Sequence, residues 1–198
     1  GRLLCQKITE QTGQTAIVDN RTGGLTNVGS EMVARSPGDG YTLLLQSLPM
    51  VINPAMLGKM PYDYEKDLAP VSLVVTSPYL LVAHPSVGVK SARELIALAK
   101  RNPGVTFGNS GIGTVTHMTA EKFRLRAGIQ VTPVNYKGGS LPEIALLSGE
   151  IAMVMATAPA AIPYVRSGKL VALGFAAQRR FSSLPDIPAL AETLKDVE

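Results

Sequence analysis

The sequence predicts an α/β protein of two lobes with a ligand cleft between them. Three observations carry this reading. Short β-forming stretches alternate with stretches at helical spacing, glycine-rich turns stand where strand gives way to helix, and the strands outnumber what one small sheet needs. Crossings near Pro85 and Ala172 divide the chain into a discontinuous first lobe, 1–85 with 172–198, and a second lobe, 86–171. The alternation implies mostly parallel strands.

Composition narrows the class. With 198 residues, 45% hydrophobic and 17% charged, the chain is an ordinary globular protein with a sizeable core. Its apolar runs break at prolines, glycines and charges within about ten residues, too short for a membrane span. The net charge of +4 is scattered rather than striped, and six Tyr, four Phe and no Trp leave little for base stacking, so no nucleic-acid partner is expected. A single cysteine, Cys5, excludes an intrachain disulfide and a cysteine-ligated zinc. His84 and His117 lie too far apart for a local metal motif, and neither metal nor cofactor is expected.

In order, the chain opens in helical spacing, with Leu4 and Ile8 on one face and a cap at Gly13. No initiator Met or signal peptide precedes this helix, which suggests a processed or truncated chain. A strand at Thr15–Asp19 leads into the glycine loop Asn20–Thr26, and Asn27 can cap a helix to about Arg35. Tyr41–Gln46 reads as a buried parallel strand, ending at Ser47 where α/β sheets present ligand contacts. From Leu48 to Pro61 at most a short helix fits, and 62–67 is a polar connector. Strands at Ala69–Val75 and Tyr79–Ala83 follow, with His84 as a pre-proline strand end.

The second lobe repeats strand, loop and helix. Ser91-x-x-Glu94 is a capping box for a helix to Arg101, and Ser140-x-x-Glu143 is another, for a helix closed by Gly149. Strands are expected at 105–108, 131–136, 151–155 and 170–176, with a helix from Thr157 to Ser167 and a helical tail from Ile187 or Pro188. This lobe carries ten basic residues against four acidic, a net of +6, which favours an anionic ligand if those charges are not simply solvated helix faces.

The stretch Phe107–Met118 organises the lobe. A strand enters the turn Asn109-Ser110-Gly111-Ile112-Gly113, and a helix from Thr114 to Gly128 leaves it, burying Met118, Phe123 and Leu125 or their neighbours. The turn lacks the third glycine of a dinucleotide fingerprint, the second glycine of a nucleophile elbow and the lysine of a phosphate loop. What remains is an anion or carboxylate cradle at a helix N-terminus, or a tight βα turn with no ligand. His117 can point to a ligand or back to the helix cap.

Several short motifs stand in order along the chain: Asn20-Arg21 before a glycine loop, Pro37-Gly38-Asp39-Gly40-Tyr41, Asn53-Pro54, Pro61-Tyr62-Asp63, Asp67-Leu68-Ala69-Pro70-Val71, Ser110-Gly111-Ile112-Gly113-Thr114 with His117, Tyr136-Lys137-Gly138 and Leu184-Pro185-Asp186-Ile187-Pro188. Together they resemble the Bug-type (TctC) substrate-binding proteins of tripartite tricarboxylate transporters. The resemblance covers the whole chain in order. It implies a periplasmic, type II periplasmic-binding-protein-like fold that closes on a small carboxylate-type solute and delivers it to membrane transporter subunits. Carried over by position, Ser47, Ser110, Gly111, Gly113, Thr114, His117, Tyr136, Lys137, Gly138 and Thr157 would line the cleft. It also implies a strand before Gly1 and a return to the first lobe after Glu198. Two departures, Thr22–Asn27 for the usual Pro-Gly-Ala-Gly-Gly-Asn and Ala156 for an Asp, leave the solute open and favour a carboxylate without an amine, or an amide-like solute.

Two further function classes remain beside the binding protein. A regulator's effector-binding domain shares the architecture but would need a DNA-binding segment, and the sequence contains no recognised one. A hydrolytic enzyme would need a nucleophile and base, and Ser110 with His117 is the only pairing available, without a third orienting group. The sequence therefore predicts a protein that is not an enzyme.

Overall fold

In the computed structural model, which describes residues 1–21, 23–138 and 140–195, the chain divides into two units between Ser72 and Leu73. Thr22 of the first glycine loop, Gly139 of the loop before Ser140, and the last three residues of the expected first lobe lie outside the described residues.

The second unit holds a five-stranded sheet: β1 Tyr79–Ala83, β2 Thr106–Asn109, β3 Thr132–Asn135, β4 Met153–Thr157 and β5 Val171–Phe175, in the order β3-β2-β4-β1-β5. β2 pairs in parallel with β3 and β4, whereas β1 pairs antiparallel with both β4 and β5. The expectation of mostly parallel strands is corrected to a mixed sheet in which β1 alone runs against the other four. β1 and β5, assigned by sequence to the first lobe, lie side by side within this sheet.

Alternation along the strands builds two cores, because successive side chains point to opposite faces. Leu81, Phe107, Met153, Met155 and Leu173 meet Leu95 and Ala99 of α4 (Ala92–Arg101) and Ala120, Phe123 and Ala127 of α5 (Val115–Ala127). Leu80, Val82, Val154, Ala156 and Phe175 meet Ala145 and Leu146 of α6 (Leu141–Leu147) and Ala158 and Ala161 of α7 (Ala158–Arg166). Phe107 and Phe123 pack edge to face at 6.4 Å. The pattern of α5 differs from the expected one: Thr116, Ala120, Phe123 and Ala127 are buried, while Met118 and Leu125 are exposed. Small residues on the inward stripe let this helix lie close to the sheet.

Helix ends follow local chemistry only in part. At α4 the Ser91 hydroxyl accepts the Glu94 N–H at 3.2 Å, as the capping box predicts, while the Glu94 carboxylate reaches one residue further back than the box requires and accepts the Lys90 N–H at 2.7 Å. At α6 the predicted box does not form, since Ser140 makes no side-chain cap. One Glu143 carboxylate oxygen is instead buried without a partner, and burial pushes that carboxyl up from its ordinary value. The helical tail is also corrected. Among the described residues of the tail only Leu190–Glu192 makes a 3₁₀ turn, while Pro188 holds the chain extended against β5, its carbonyl accepting the Phe175 N–H at 2.8 Å.

The first unit contains α1 Arg2–Thr12, α2 Asn27–Ala34 and α3 Pro49–Leu57. Gly13 ends α1 in the left-handed conformation, as expected. α2 starts one residue earlier than read, with Thr26 rather than Asn27 at the cap. The Asn27 side chain is drawn inward, its Oδ1 accepting from Asn53 Nδ2 at 2.9 Å and from the Tyr62 hydroxyl at 3.2 Å. Neither expected strand of this unit, Thr15–Asp19 or Tyr41–Gln46, forms a ladder among the described residues, nor does Ala69–Val75, which crosses the boundary between the units. Tyr41, Leu43 and Leu45 are exposed rather than buried. β propensity makes a segment extended, but a strand exists only when its backbone groups find a partner.

Candidate carboxylate-binding edge

Parallel strands in an α/β sheet offer their C-terminal ends to ligands. Here β2 ends at Asn109, β3 at Asn135 and β4 at Thr157; eight of the ten sequence-predicted site residues follow the first two ends, and a ninth, Thr157, is the third end itself. Ser47 belongs to the first unit, where its N–H donates to Gln46 Oε1 at 2.9 Å and its side chain is exposed.

The loop after β2 is held from inside. Gly111 and Gly113 take φ of 118° and 79°, values that side chains rarely adopt. A Cβ on Gly111 would also stand 3.1 Å from the Tyr136 carbonyl, so glycine is needed there twice over. The Thr114 hydroxyl donates to the Gly111 carbonyl at 2.6 Å, accepts the His117 N–H at 3.4 Å, and lies 3.0 Å from the Thr116 hydroxyl. Thr116 in turn accepts the Ser110 N–H at 3.0 Å. The Thr114 proton is therefore spent within the loop, and its part is to shape the cap rather than to donate outward. His117 turns back to the cap: its Nδ1 accepts the Gly113 N–H at 3.4 Å. The first-turn N–H groups of Val115 and Thr116 have no intrahelical acceptor and sit at the positive end of a 13-residue helix.

The loop after β3 lies against this one. The Tyr136 N–H donates to the Asn109 carbonyl at 2.9 Å. Its hydroxyl goes to Glu150 at 3.2 Å, and burial, then that hydrogen bond, raise the phenol above its ordinary value. What Tyr136 brings to the loop is thus its backbone. Lys137 is exposed, and Gly138 is left-handed with φ 81°. After β4, Thr157 caps α7 without a side-chain bond and pairs in register with Tyr79.

Sequence reasoning missed Asn109, which is 2% exposed. Its Oδ1 accepts the Gly111 N–H at 2.9 Å and its Nδ2 donates to Asn135 Oδ1 at 2.7 Å. A polar residue closing a buried strand just before a glycine turn is the signal that could have found it. Elsewhere, an open groove of about 460 Å³ lies in the first unit between α1 and Ala16–Val18, lined by Arg2, Cys5, Gln6 and Thr9. Among the described residues no group of three or more His, Cys, Asp or Glu is placed to hold a metal, and no helix is long and apolar enough to cross a membrane.

Comparison with known proteins adds the following. The profile of the tripartite tricarboxylate transporter family receptor, TctC, matches residues 1–198. Protein BugT of Bordetella pertussis is 35% identical over 194 residues, covering 96% of this chain and 60% of the relative. A solved R. palustris protein with adipate superposes with a TM-score of 0.85 at 29% identity, over 96% of this chain and 64% of that one. MatC from Rhodopseudomonas palustris with bound malate gives 0.84 at 25% identity, over 96% and 66%. The chain thus spans about 60% of the length of the curated relatives it matches.

Proposed function

This chain belongs to the family of tripartite tricarboxylate transporter receptors, and on that premise we propose that it binds a small carboxylate-type solute in the periplasm and presents it to the membrane subunits of such a transporter. Its fold is that of the periplasmic binding proteins it superposes on. One observation carries the reading: the Ser110–Thr114 turn, cross-braced by Thr114 and Thr116, leads into the start of α5, where the Val115 and Thr116 N–H groups have no intrahelical acceptor. A carboxylate fits such a helix start, because backbone donors and the helix dipole act on it together. Two solved relatives hold dicarboxylates, adipate and malate. The proposed contact set is Ser110, Gly111, Gly113, Tyr136, Lys137, Gly138 and Thr157, with Thr114 and His117 shaping the cap. Binding is reversible and leaves the solute unchanged.

Titration calorimetry with C4 to C6 dicarboxylates tests this. Thr114→Val removes the brace to Gly111 and the cap on His117, and is expected to weaken binding about tenfold, the scale of a lost helix cap. Thr9→Val on the exposed helix α1 is expected to leave affinity unchanged. Equal affinities for the two variants would remove this turn from the site.

A further inference from the structure

The hydrogen bonds around Asn109 determine which way two side-chain amides face. The Gly111 N–H can only donate, so the Asn109 atom 2.9 Å from it is the oxygen. Asn109 therefore turns its NH₂ to Asn135, 2.7 Å away, and Asn135 must meet it with its own oxygen. That leaves the Asn135 NH₂ without a partner among the described residues, on an exposed side chain that ends β3 directly beside Asn109 in register. The same strand end leads into Tyr136, whose N–H is bonded to the Asn109 carbonyl.

We infer that Asn135 is a solute-binding residue, donating from Nδ2 to the solute's carboxylate, and that Asn109 is the positioning residue that holds it in the donor orientation. The polarity runs in one direction, from the Gly111 N–H through Asn109 and Asn135 to the anion. Asn109 also joins the turn after β2 to the loop after β3, so the α5 helix start and the Asn135 amide form one edge. The inference rests on the carboxylate reading above and adds to it a side-chain donor outside the predicted site.

The relay gives a test that a purely structural role would not pass. Asn109→Asp keeps an oxygen for Gly111 but has no NH₂, so Asn135 is expected to flip and present its oxygen outward. Preference should then move from a dicarboxylate toward its primary diamide by about tenfold in the affinity ratio, and only while Asn135 is present. A shift of the same size in going from Asn135→Ala to the Asn109→Asp, Asn135→Ala double variant would be repulsion by the new carboxylate and would overturn the relay. Asn135→Ala should weaken dicarboxylates about tenfold or more and diamides less. Titrations of succinate, adipate and their diamides against both variants, the double variant, Thr114→Val and the wild type separate the outcomes. If the wild type binds dicarboxylates and Thr114→Val weakens them, but Asn135→Ala and Asn109→Asp leave the carboxylate-to-amide ratio unchanged, the relay is overturned while the carboxylate site stands. If the wild type binds none of these probes, the carboxylate reading falls and the relay with it.

Discussion

Two stretches of nearly the same character meet different fates in this molecule. Tyr41–Gln46 in the first unit and Tyr79–Ala83 in the second each begin with a tyrosine and continue through aliphatic residues. Tyr79–Ala83 lies between β4 and β5, hydrogen-bonded on both sides, and Leu80 to Ala83 are fully buried. Tyr41–Gln46 has no ladder partner among the described residues, and Tyr41, Leu43 and Leu45 stand 87%, 58% and 56% exposed. Local preference is similar in the two. What separates them is supply of neighbours: β4 and β5 satisfy the backbone of β1, and helices from both sides cover its side chains. A fully buried leucine is worth about 1.5–3 kcal/mol of transfer free energy, and the exposed leucines of 41–46 collect little of it.

The largest expected effect is in amide exchange. The N–H groups of 80–83 should exchange only through opening of the sheet, at least about a thousandfold more slowly than those of 42–46, as measured by hydrogen–deuterium exchange. Comparable rates would mean that the two stretches are equally structured in solution. Truncation is next. Leu81→Ala should cost about 2–5 kcal/mol in denaturant unfolding, whereas Leu43→Ala should stay within about 0.5 kcal/mol. A similar loss for both would show that Leu43 is buried after all.

Glycines sharpen the same contrast. A Cβ on Gly108 of β2 would run into the Ile151 side chain and stand 3.1 Å from Val154 and 3.6 Å from Pro142 in the first turn of α6. Gly108→Ala should therefore destabilise by about 1–3 kcal/mol, as overpacking does, while Gly38→Ala in the first unit meets nothing within 4 Å and should be near neutral. Thermal melts of the pair decide this.

The smallest effect is electrostatic. Arg180 grips Glu192 with two bonds of 2.7 Å in the second unit, and this pair, then the Ala189 N–H, hold the Glu192 carboxyl at about 2. Because the folded value is depressed, the pair's contribution is present above the ordinary carboxylate value of 4.5 and is lost as pH falls through about 2. Melting temperatures of the wild type and Glu192→Gln should thus differ slightly at neutral pH and converge toward pH 2. Since both side chains are exposed, 1 M salt should shrink the difference at every pH. A gap that persists at pH 2 or in salt would assign the stability to Glu192's shape instead of its charge.

The sequence by itself determined most of the second unit, because its signals are local. The Ser91 box starts α4 where expected, Gly128 closes α5, and Phe107–Met118 forms the strand, turn and helix start read from its glycines and threonines. What tertiary structure decided were questions of partnership. No local rule tells whether a β-forming stretch such as Tyr41–Gln46 will find a neighbour, nor that β1 will enter the sheet against its fellows. Nor does one show that Ser140 leaves α6 uncapped, or that His117 bends to the cap when both fates are within reach. The Asn109–Asn135 pair lay beyond sequence reasoning for the same reason. Its two members are 26 residues apart, and only the parallel register of β2 on β3 brings an amide oxygen and an amide nitrogen to 2.7 Å.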